Sequence, residues 1–155
     1  MRSYLDIQKM RYGDRLDYQI RIPEELKKLY TVKLLIQPLA ENSIYHGIKE
    51  SDRKGTILIT AGEEPGGVYL CVRDDGLGIS QETLTILNAD LKRGVTVSDG
   101  GYGIFNVNER IRLYFGRDYG LELRSCTGEW TEAVIHLPKY IPERTEWDVS
   151  DFDRR

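Results

Sequence analysis

Long hydrophobic runs and excess positive charge are both missing from this sequence. No segment approaches the ~18 consecutive apolar residues of a membrane-spanning helix, and the start, MRSYLDIQKMRYGDR, is charged throughout, unlike a signal peptide. The net charge of −3 provides no global basic field, which argues against a nucleic-acid partner. A local site for a small anion remains compatible with this charge, because backbone N–H groups can form one.

Cysteine is also scarce, with only two residues in the chain. Cys71 and Cys126 lack the spacing of a metal site, and both lie in apolar runs that resemble strands. We therefore expect two buried free thiols and a reducing, cytosolic environment.

The periodicity of the apolar residues predicts one domain built from a sheet and helices. Alternating residues indicate strands, and spacings of three or four indicate helices. The first half of the chain is predicted to contain a helix at 3–12, a strand at 16–22, a helix at 33–48, and strands at about 56–61 and 67–73. A short helix capped by Ser80 and a glycine-rich loop at 94–103 follow. The domain then ends with a helix that has Ile104, Val107, Ile111 and Tyr114 on one stripe, and with two closing strands. This order predicts an α/β (α+β) two-layer sandwich, with a mixed, mostly antiparallel sheet and helices on one face. Residues 141–155 lack apolar periodicity and read as a tail, frayed or docked through Trp147 and Phe152.

The helix predicted at 33–48 has a polar side in the stretch PLAENSIYHG. With about 100° of rotation per residue, that side contains Pro38, Glu41, Asn42, Tyr45 and Lys49. The opposite side contains the small residues Ala40, Ser43 and Gly47, which would let the helix approach the sheet closely. A solvated face is the simpler interpretation of this pattern alone. Pro38 fits either a first turn or a kink.

A first glycine cluster follows a predicted strand in VRDDGLGIS. Gly76 and Gly78 permit a turn that brings the backbone close to a ligand. The carboxylate of Asp74 accepts hydrogen bonds only, so it would favour the exocyclic amine of adenine over the carbonyl of guanine. An ordinary strand-to-helix turn would use the same residues.

A second cluster, DGGYGIFNVNER, places Gly100, Gly101 and Gly103 where a helix begins. Free N–H groups at a helix start bind phosphates, although an ordinary loop-to-helix junction has the same composition. The stretch is neither a Walker A loop nor a Rossmann fingerprint. With phosphates there, the amide oxygen of Asn42 would suffice as a protein ligand of Mg²⁺, which keeps several waters.

Together and in this order, the three motifs resemble the GHKL ATPase superfamily, which includes gyrase, MutL-type repair proteins and sensor histidine kinases. The stretches LLIQPLAENSIYHGI and GYGIFNVNERIRLYFG are closest to the LytS/YesM-type sensor histidine kinases, and the resemblance covers about residues 4–138. It implies the Bergerat fold for 15–140. Residues 1–14 would end a linker helix from a dimerisation domain.

The resemblance also implies a function. The domain would bind Mg²⁺ and ATP and transfer the γ-phosphoryl to a histidine on the dimerisation domain of a dimeric kinase, with a response regulator downstream. It would be the cytoplasmic part of a sensor in the plasma membrane. His46 and His136 do not lie in acceptor-like segments, so the acceptor is expected outside this chain.

Individual roles follow from the same resemblance. Asn42 would bind the metal, and Glu41 would either orient or deprotonate the acceptor histidine or support the metal. Lys92 and Arg93, in an ATP lid at 88–100, would either contact phosphate or be solvated. The residues placed around ATP are Asn42, Tyr45, His46, Asp74, Gly76, Gly78, Ile79, Gly101, Tyr102, Gly103, Ile104 and Thr131.

Two departures from the family pattern affect these expectations. Pro38 stands where gyrase-like ATPases have a glutamate base, which favours transfer to a protein over hydrolysis. Trp130 stands where glycine is common, and we expect it to tighten or block the adenine side near Thr131. Three alternatives remain: a serine kinase of the anti-sigma-factor type, a non-catalytic nucleotide-binding module, and a domain with coincidental glycine turns.

Overall fold

The computed structural model describes residues 1–28, 31–49, 51, 53–95 and 103–139. Its helices are α1 (Arg2–Tyr12), α2 (Ile36–Asn42), α3 (Gln81–Arg93) and α4 (Gly103–Phe115), with a π-helical turn, Ser43–Ile48, continuing α2. Its strands are β1 (Leu16–Arg21), β2 (Gly55–Glu64), β3 (Gly67–Asp74), β4 (Gly120–Cys126) and β5 (Trp130–Pro138). Short 3-10 turns lie at Gly13–Arg15 and Leu26–Lys28. The predicted tail at 141–155 lies outside the described residues.

The five strands form one sheet in the order β1-β2-β3-β5-β4. Only β1 and β2 are parallel, and the other neighbours are antiparallel. The predicted mixed, mostly antiparallel sheet is therefore confirmed. None of the helices in the described ranges is long and apolar enough to cross a bilayer.

One hydrophobic core lies between the helices and one face of the sheet. Each helix contributes at least one leucine or isoleucine with 1% exposure or less, namely Leu5, Leu39, Leu91 and Ile111. Burial of one such side chain contributes about 1.5–3 kcal/mol. On the helix-covered face of the sheet, the apolar pairs between β3 and β5 end at Val72 and Ala133. The next pair on that same face is Asp74 and Thr131. The polar pair thus ends an apolar row.

The helix predicted at 33–48 starts later and changes form. Leu34 has a positive φ of 63° and is 62% exposed, so it belongs neither to a helix nor to the core. Because α2 begins at Ile36, Pro38 lies in its first turn, where an N–H group would have no intrahelical partner. Of the two interpretations of Pro38, the first turn is confirmed. Beyond Asn42 the helical hydrogen bonds join residues five apart instead of four. Lys49 N, for example, donates to Ile44 O at 2.8 Å. Such π-helical turns are frequent at functional sites.

Other boundaries also differ from the prediction. Residues 88–93, assigned to the start of a lid, form the end of α3, which stops at Gly94 with a left-handed φ of 72°. The N-cap prediction is confirmed, since Ser80 Oγ accepts from Thr83 N. Tyr114 is 38% exposed and so is not a core residue of α4. The rest of the predicted lid, 96–100, lies outside the described residues.

The two cysteines have different environments. Cys71 is buried, and burial raises the pKa of its thiol to about 11. Cys126 is only partly buried, so the expectation of two buried thiols is wrong for this residue. It ends β4, where the sheet gives way to the turn before β5.

Candidate nucleotide-binding site

Asp74, the last residue of β3, is a carboxyl group only 3% exposed. Gly76 N donates to its Oδ1 at 3.1 Å, and the Ser43 hydroxyl hydrogen-bonds the same side chain. Burial raises the pKa of Asp74 to about 6, although both hydrogen bonds favour the ionised form. A buried acceptor of this kind is suited to a donor-bearing ligand.

The π-helical turn lies directly against this carboxyl group. A β-carbon added to Gly47 would lie 2.8 Å from the Asp74 carboxyl carbon. Leu77 N donates to Gly47 O at 3.3 Å, so the glycine loop also touches the turn. Ala40 and Ser43 are buried too. The prediction that small residues let this helix approach the sheet is confirmed.

Ser43 is a functional candidate that sequence reasoning missed, because it was treated only as a small packing residue. Its hydroxyl points to Asp74 instead. A signal was present: a hydroxyl residue on the buried side of a helix needs a polar partner.

Thr131 lies opposite Asp74 in the β3–β5 ladder, on the face covered by helices. On its other side Thr131 pairs with Ser125 of β4, and their hydroxyl oxygens are 3.3 Å apart. Ile79 N donates to Ser125 Oγ at 2.8 Å. The structure therefore brings together the predicted residues Asp74, Ile79 and Thr131, and adds Ser125, which the sequence did not single out.

The glycine loop after β3 is held against the turn between β4 and β5. Gly78 has a φ of 67°, and a β-carbon there would collide with the carbonyl oxygen of Cys126. Gly128 N donates to Leu77 O at 2.6 Å, and Thr127 Oγ1 donates to Ile79 O at 3.0 Å. These contacts hold the glycine loop against the β4–β5 turn.

Trp130 lies on the opposite face of the sheet from this pocket. Its ring is 4.4 Å from the Arg73 guanidinium, which also pairs with Glu132 at 2.7 Å. Arg73 and Asp74 are consecutive strand residues and point to opposite faces. The expectation that Trp130 tightens or blocks the adenine side is therefore wrong.

The start of α4 lies against the first turn of α2. A β-carbon on Gly103 would be 3.1 Å from Pro38 Cβ, so the glycine allows close approach of the two helices. Ile104 is 7% exposed and joins the core. Gly101 and Tyr102, which complete the predicted phosphate-binding cluster, lie outside the described residues.

Asn42 lies one turn beyond Pro38 and directly before Ser43. It is therefore between the α4 start and Asp74, the two ends of the candidate site. The side chain is half-buried, and within the described ranges no hydrogen bond engages its amide. An available amide oxygen fits Mg²⁺, which binds protein through one or two oxygens and completes its shell with phosphates and water. No group of three or more His, Cys, Asp or Glu that could hold a metal occurs within those ranges.

The remaining predicted residues of α2 and the π-helical turn lie further outward. Glu41 Oε1 accepts from Gln37 Nε2 at 2.9 Å. Burial, followed by the Glu41 charge, raises the pKa of Tyr4 on α1 to about 12, so Glu41 faces that helix. Tyr45 is 49% exposed, with the Lys49 ammonium 4.9 Å from its ring centre, and His46 is exposed.

Of the two basic residues at the end of α3, Arg93 forms an ion pair with Asp90 at 2.5 Å. Its side chain is largely exposed. Of the two expectations for Arg93, phosphate contact or solvation, this arrangement corresponds to solvation. The carbonyl of Lys92 accepts a hydrogen bond from Arg112 of α4 at 2.8 Å. That contact joins the end of α3 to α4.

Comparison with known families matches residues 29–141 to one described as "Histidine kinase-, DNA gyrase B-, and HSP90-like ATPase". The chain belongs to this family. The histidine kinase domain of the blue-light activated histidine kinase EL346 from Erythrobacter litoralis has the same fold, with a TM-score of 0.56 at 16% identity. That match covers 88% of this chain and 60% of the other.

Sequence relatives agree with the predicted subfamily. The sensor histidine kinase YesM of Bacillus subtilis is 36% identical over 138 residues, which are 89% of this chain and 22% of YesM. The sensor histidine kinase YpdA of Escherichia coli is 33% identical, with 89% and 23% coverage. The sensor protein LytS of Bacillus anthracis is 28% identical, with 94% and 24% coverage. The chain thus spans about a quarter of the length of these relatives, and the predicted resemblance to the LytS/YesM type is confirmed.

Proposed function

We propose that this domain binds Mg·ATP and supplies the γ-phosphoryl for transfer to a histidine on a separate dimerisation domain. One observation carries the proposal: α2 and its π-helical turn contact the buried acid at one end and the glycine that opens α4 at the other. Adenine would lie at the Asp74 end and the phosphates at the Gly103 end. Asn42 lies between these two ends.

Each of these groups has a task in the proposed reaction. Ionised Asp74 accepts a hydrogen bond from the adenine amine, and Thr131 lies beside it. The N–H groups at the start of α4 face the phosphates, where oriented backbone dipoles stabilise negative charge. The Asn42 amide oxygen would hold Mg²⁺, which neutralises charge on the transferring group when it is bound. Positioning is then the main contribution of the protein.

Transfer to a protein is favoured over hydrolysis by the residue four positions before Asn42. That residue is Pro38, whose ring packs near Gly103 and cannot accept a proton from water. Glu41 is the nearest carboxylate along the helix, where Gln37 holds it on the side of α1. We assign Glu41 to orienting the incoming histidine.

The acceptor histidine is proposed to lie outside this chain. His136 Nδ1 is 2.8 Å from Glu64 Oε1, and its Nε2 is 3.6 Å from Glu122 Oε2. All three lie on the face of the sheet opposite Asp74. A response regulator would receive the phosphoryl group afterwards, as the names of the sensor relatives suggest, and the full-length protein would be a dimeric membrane sensor.

Isothermal titration calorimetry with ATP, with and without Mg²⁺, tests the binding step. Wild-type protein should bind ATP more tightly with Mg²⁺. Asn42→Ala should lose that Mg²⁺-dependent gain while retaining its circular dichroism spectrum. Gln81→Ala, an exposed amide at the start of α3, is the matched control and should bind like wild type. Unchanged Mg²⁺ dependence in Asn42→Ala would remove the metal role from this residue.

Incubation with ATP and a purified dimerisation domain of a LytS/YesM-type kinase tests the transfer step. Phosphohistidine is labile in acid, so the phosphoryl group transferred to the dimerisation domain should be lost on acid treatment. A transferred phosphoryl group that is stable in acid would favour the serine kinase alternative. Tight ATP binding without any transfer would favour a non-catalytic module.

A further inference from the structure

We propose that Ser125 sets the nucleotide specificity of this site. By fixing the Thr131 hydroxyl as a hydrogen-bond acceptor, it makes Thr131 and Asp74 a matched pair that selects adenine over guanine. The inference rests on the proposed function, in which ATP binds with its base beside Asp74. Ser125 acts through Thr131 and is therefore a positioning residue.

Two hydrogen bonds to the backbone use the only proton of Ser125 and one of its two acceptor sites. Ser125 Oγ donates its only proton to the carbonyl of Trp130 at 2.6 Å. It accepts from Ile79 N at 2.8 Å. A serine hydroxyl has one donor and two acceptor sites, so one lone pair remains.

The neighbouring hydroxyl must supply the proton for that last site. Thr131 Oγ1 lies 3.3 Å from Ser125 Oγ, and either atom could donate on distance alone. Because the Ser125 proton already goes to Trp130, Thr131 is the donor in this pair. Thr131 Oγ1 then has only lone pairs left for any other partner.

Thr131 and Asp74 consequently present the same kind of group to a ligand. They are cross-strand partners on the helix-covered face, so their side chains are neighbours. Adenine carries an exocyclic amine that donates, whereas guanine carries a carbonyl oxygen at the same position. Two acceptors favour the amine, directly or through one bridging water, and repel the carbonyl.

Loss of the Ser125 hydroxyl would remove this constraint on Thr131. In Ser125→Ala the Thr131 proton is free to rotate towards the ligand, and the pair becomes one donor and one acceptor. Guanine is then accommodated. A general loosening of the loop would weaken ATP and GTP together, so the ratio of the two dissociation constants separates the two effects.

A matched control exists in the same loop. Thr127 Oγ1 donates to Ile79 O at 3.0 Å, so Thr127→Val removes another hydroxyl anchor of Ile79 without touching the Ser125–Thr131 pair. Ser125→Thr retains a hydroxyl and should behave like wild type. Ser125→Cys retains the side-chain volume but replaces the hydroxyl with a thiol, which donates and accepts only weakly.

The experiment measures ATP and GTP dissociation constants by calorimetry, with thermal unfolding to establish that each variant is folded. We expect the preference for ATP to fall about tenfold or more in Ser125→Ala and in Ser125→Cys. It should be unchanged in Ser125→Thr and Thr127→Val. If Ser125→Ala does not fold, Ser125→Cys provides the same comparison.

Three results would overturn the inference, and they are distinguishable. A wild-type preference retained in both Ser125→Ala and Ser125→Cys removes the role of Ser125 and leaves ATP binding intact. An equal loss of preference in Thr127→Val reduces Ser125 to a general anchor of the loop. A wild-type protein that binds neither nucleotide, or binds both equally, removes the proposed adenine site and this inference with it.

Discussion

Gly47 and Asp74 are in such close contact that no side chain fits between them: an added β-carbon would lie 2.8 Å from the Asp74 carboxyl carbon. Gly47→Ala should therefore displace the carboxylate and weaken ATP binding at least tenfold. Gly62→Ala is the control, since its β-carbon would meet the ring of Tyr69, a side chain that can move. Calorimetry with ATP measures both variants. Wild-type affinity in Gly47→Ala would show that Asp74 has room to shift.

This contact illustrates which parts of the site the sequence could predict. Helical periodicity placed Ala40, Ser43 and Gly47 on the side of the sheet, because side-chain direction along a helix is a local property. Glycine spacing likewise marked the loop after Asp74. Both signals lie within a few consecutive residues.

The contribution of Ser125 could not be predicted in the same way. Its contact with Ile79 spans 46 residues and depends on the register of β4 against β5. Nothing in the residues around Ser125 distinguishes it from the other serines of the chain. The position of Trp130, in contrast, could be predicted. Successive strand residues point to opposite faces of the sheet, so once Thr131 was assigned to the pocket, Trp130 had to lie on the other face.

The raised pKa of Asp74 predicts a pH dependence of stability. The folded-state pKa is about 6 and the ordinary value is 3.8, so between these values the folded state binds more protons than the unfolded state. The contribution of Asp74 to stability therefore falls as pH rises from 4 to 6 and is constant above that range. A shift of this size corresponds to roughly 3 kcal/mol at most. Asp74→Asn should lack this component.

Urea unfolding at pH 4.5, 5.5 and 7.0 measures the effect. The difference in unfolding free energy between Asp74→Asn and wild type should grow in favour of the variant as pH rises. Asp75→Asn, at the neighbouring carboxyl, is the control for changes in net charge. Parallel pH curves for Asp74→Asn and wild type would contradict the assigned pKa.

Asn108 joins three elements through one buried amide and should be important for stability. It is 2% exposed; its Nδ2 donates to Leu91 O at 2.8 Å, and its Oδ1 accepts from Leu121 N at 2.9 Å. Asn108→Leu would leave the Leu121 N–H group unpaired, at about 1–3 kcal/mol. Leu91 O would still accept from Gly94 N and Arg112 Nη1. Urea unfolding should show a loss of roughly 1–3 kcal/mol.

The exposed neighbour on the same helix supplies the comparison. Asn106→Ala should change the unfolding free energy by no more than about 0.5 kcal/mol, as surface substitutions usually do. Gly120→Ala should reproduce part of the Asn108 effect, since its β-carbon would lie 2.7 Å from Asn108 Oδ1. An Asn108→Leu variant as stable as wild type would show that water replaces the hydrogen bond to Leu121 N.

The position of Trp130 predicts that its side chain is irrelevant to nucleotide binding. Because the ring stacks on Arg73 on the far face of the sheet, Trp130→Ala should keep its ATP affinity within about twofold of wild type. The backbone carbonyl that accepts from Ser125 is retained in this variant.

Loss of the cation–π contact in Trp130→Ala should still lower stability by about 0.5–1 kcal/mol or more, since ring burial is lost as well. Calorimetry and urea unfolding on the same preparation separate the two quantities. A large fall in ATP affinity without unfolding would mean that the ring reaches the nucleotide through the sheet edge, and that glycine is common at this position because the site requires it.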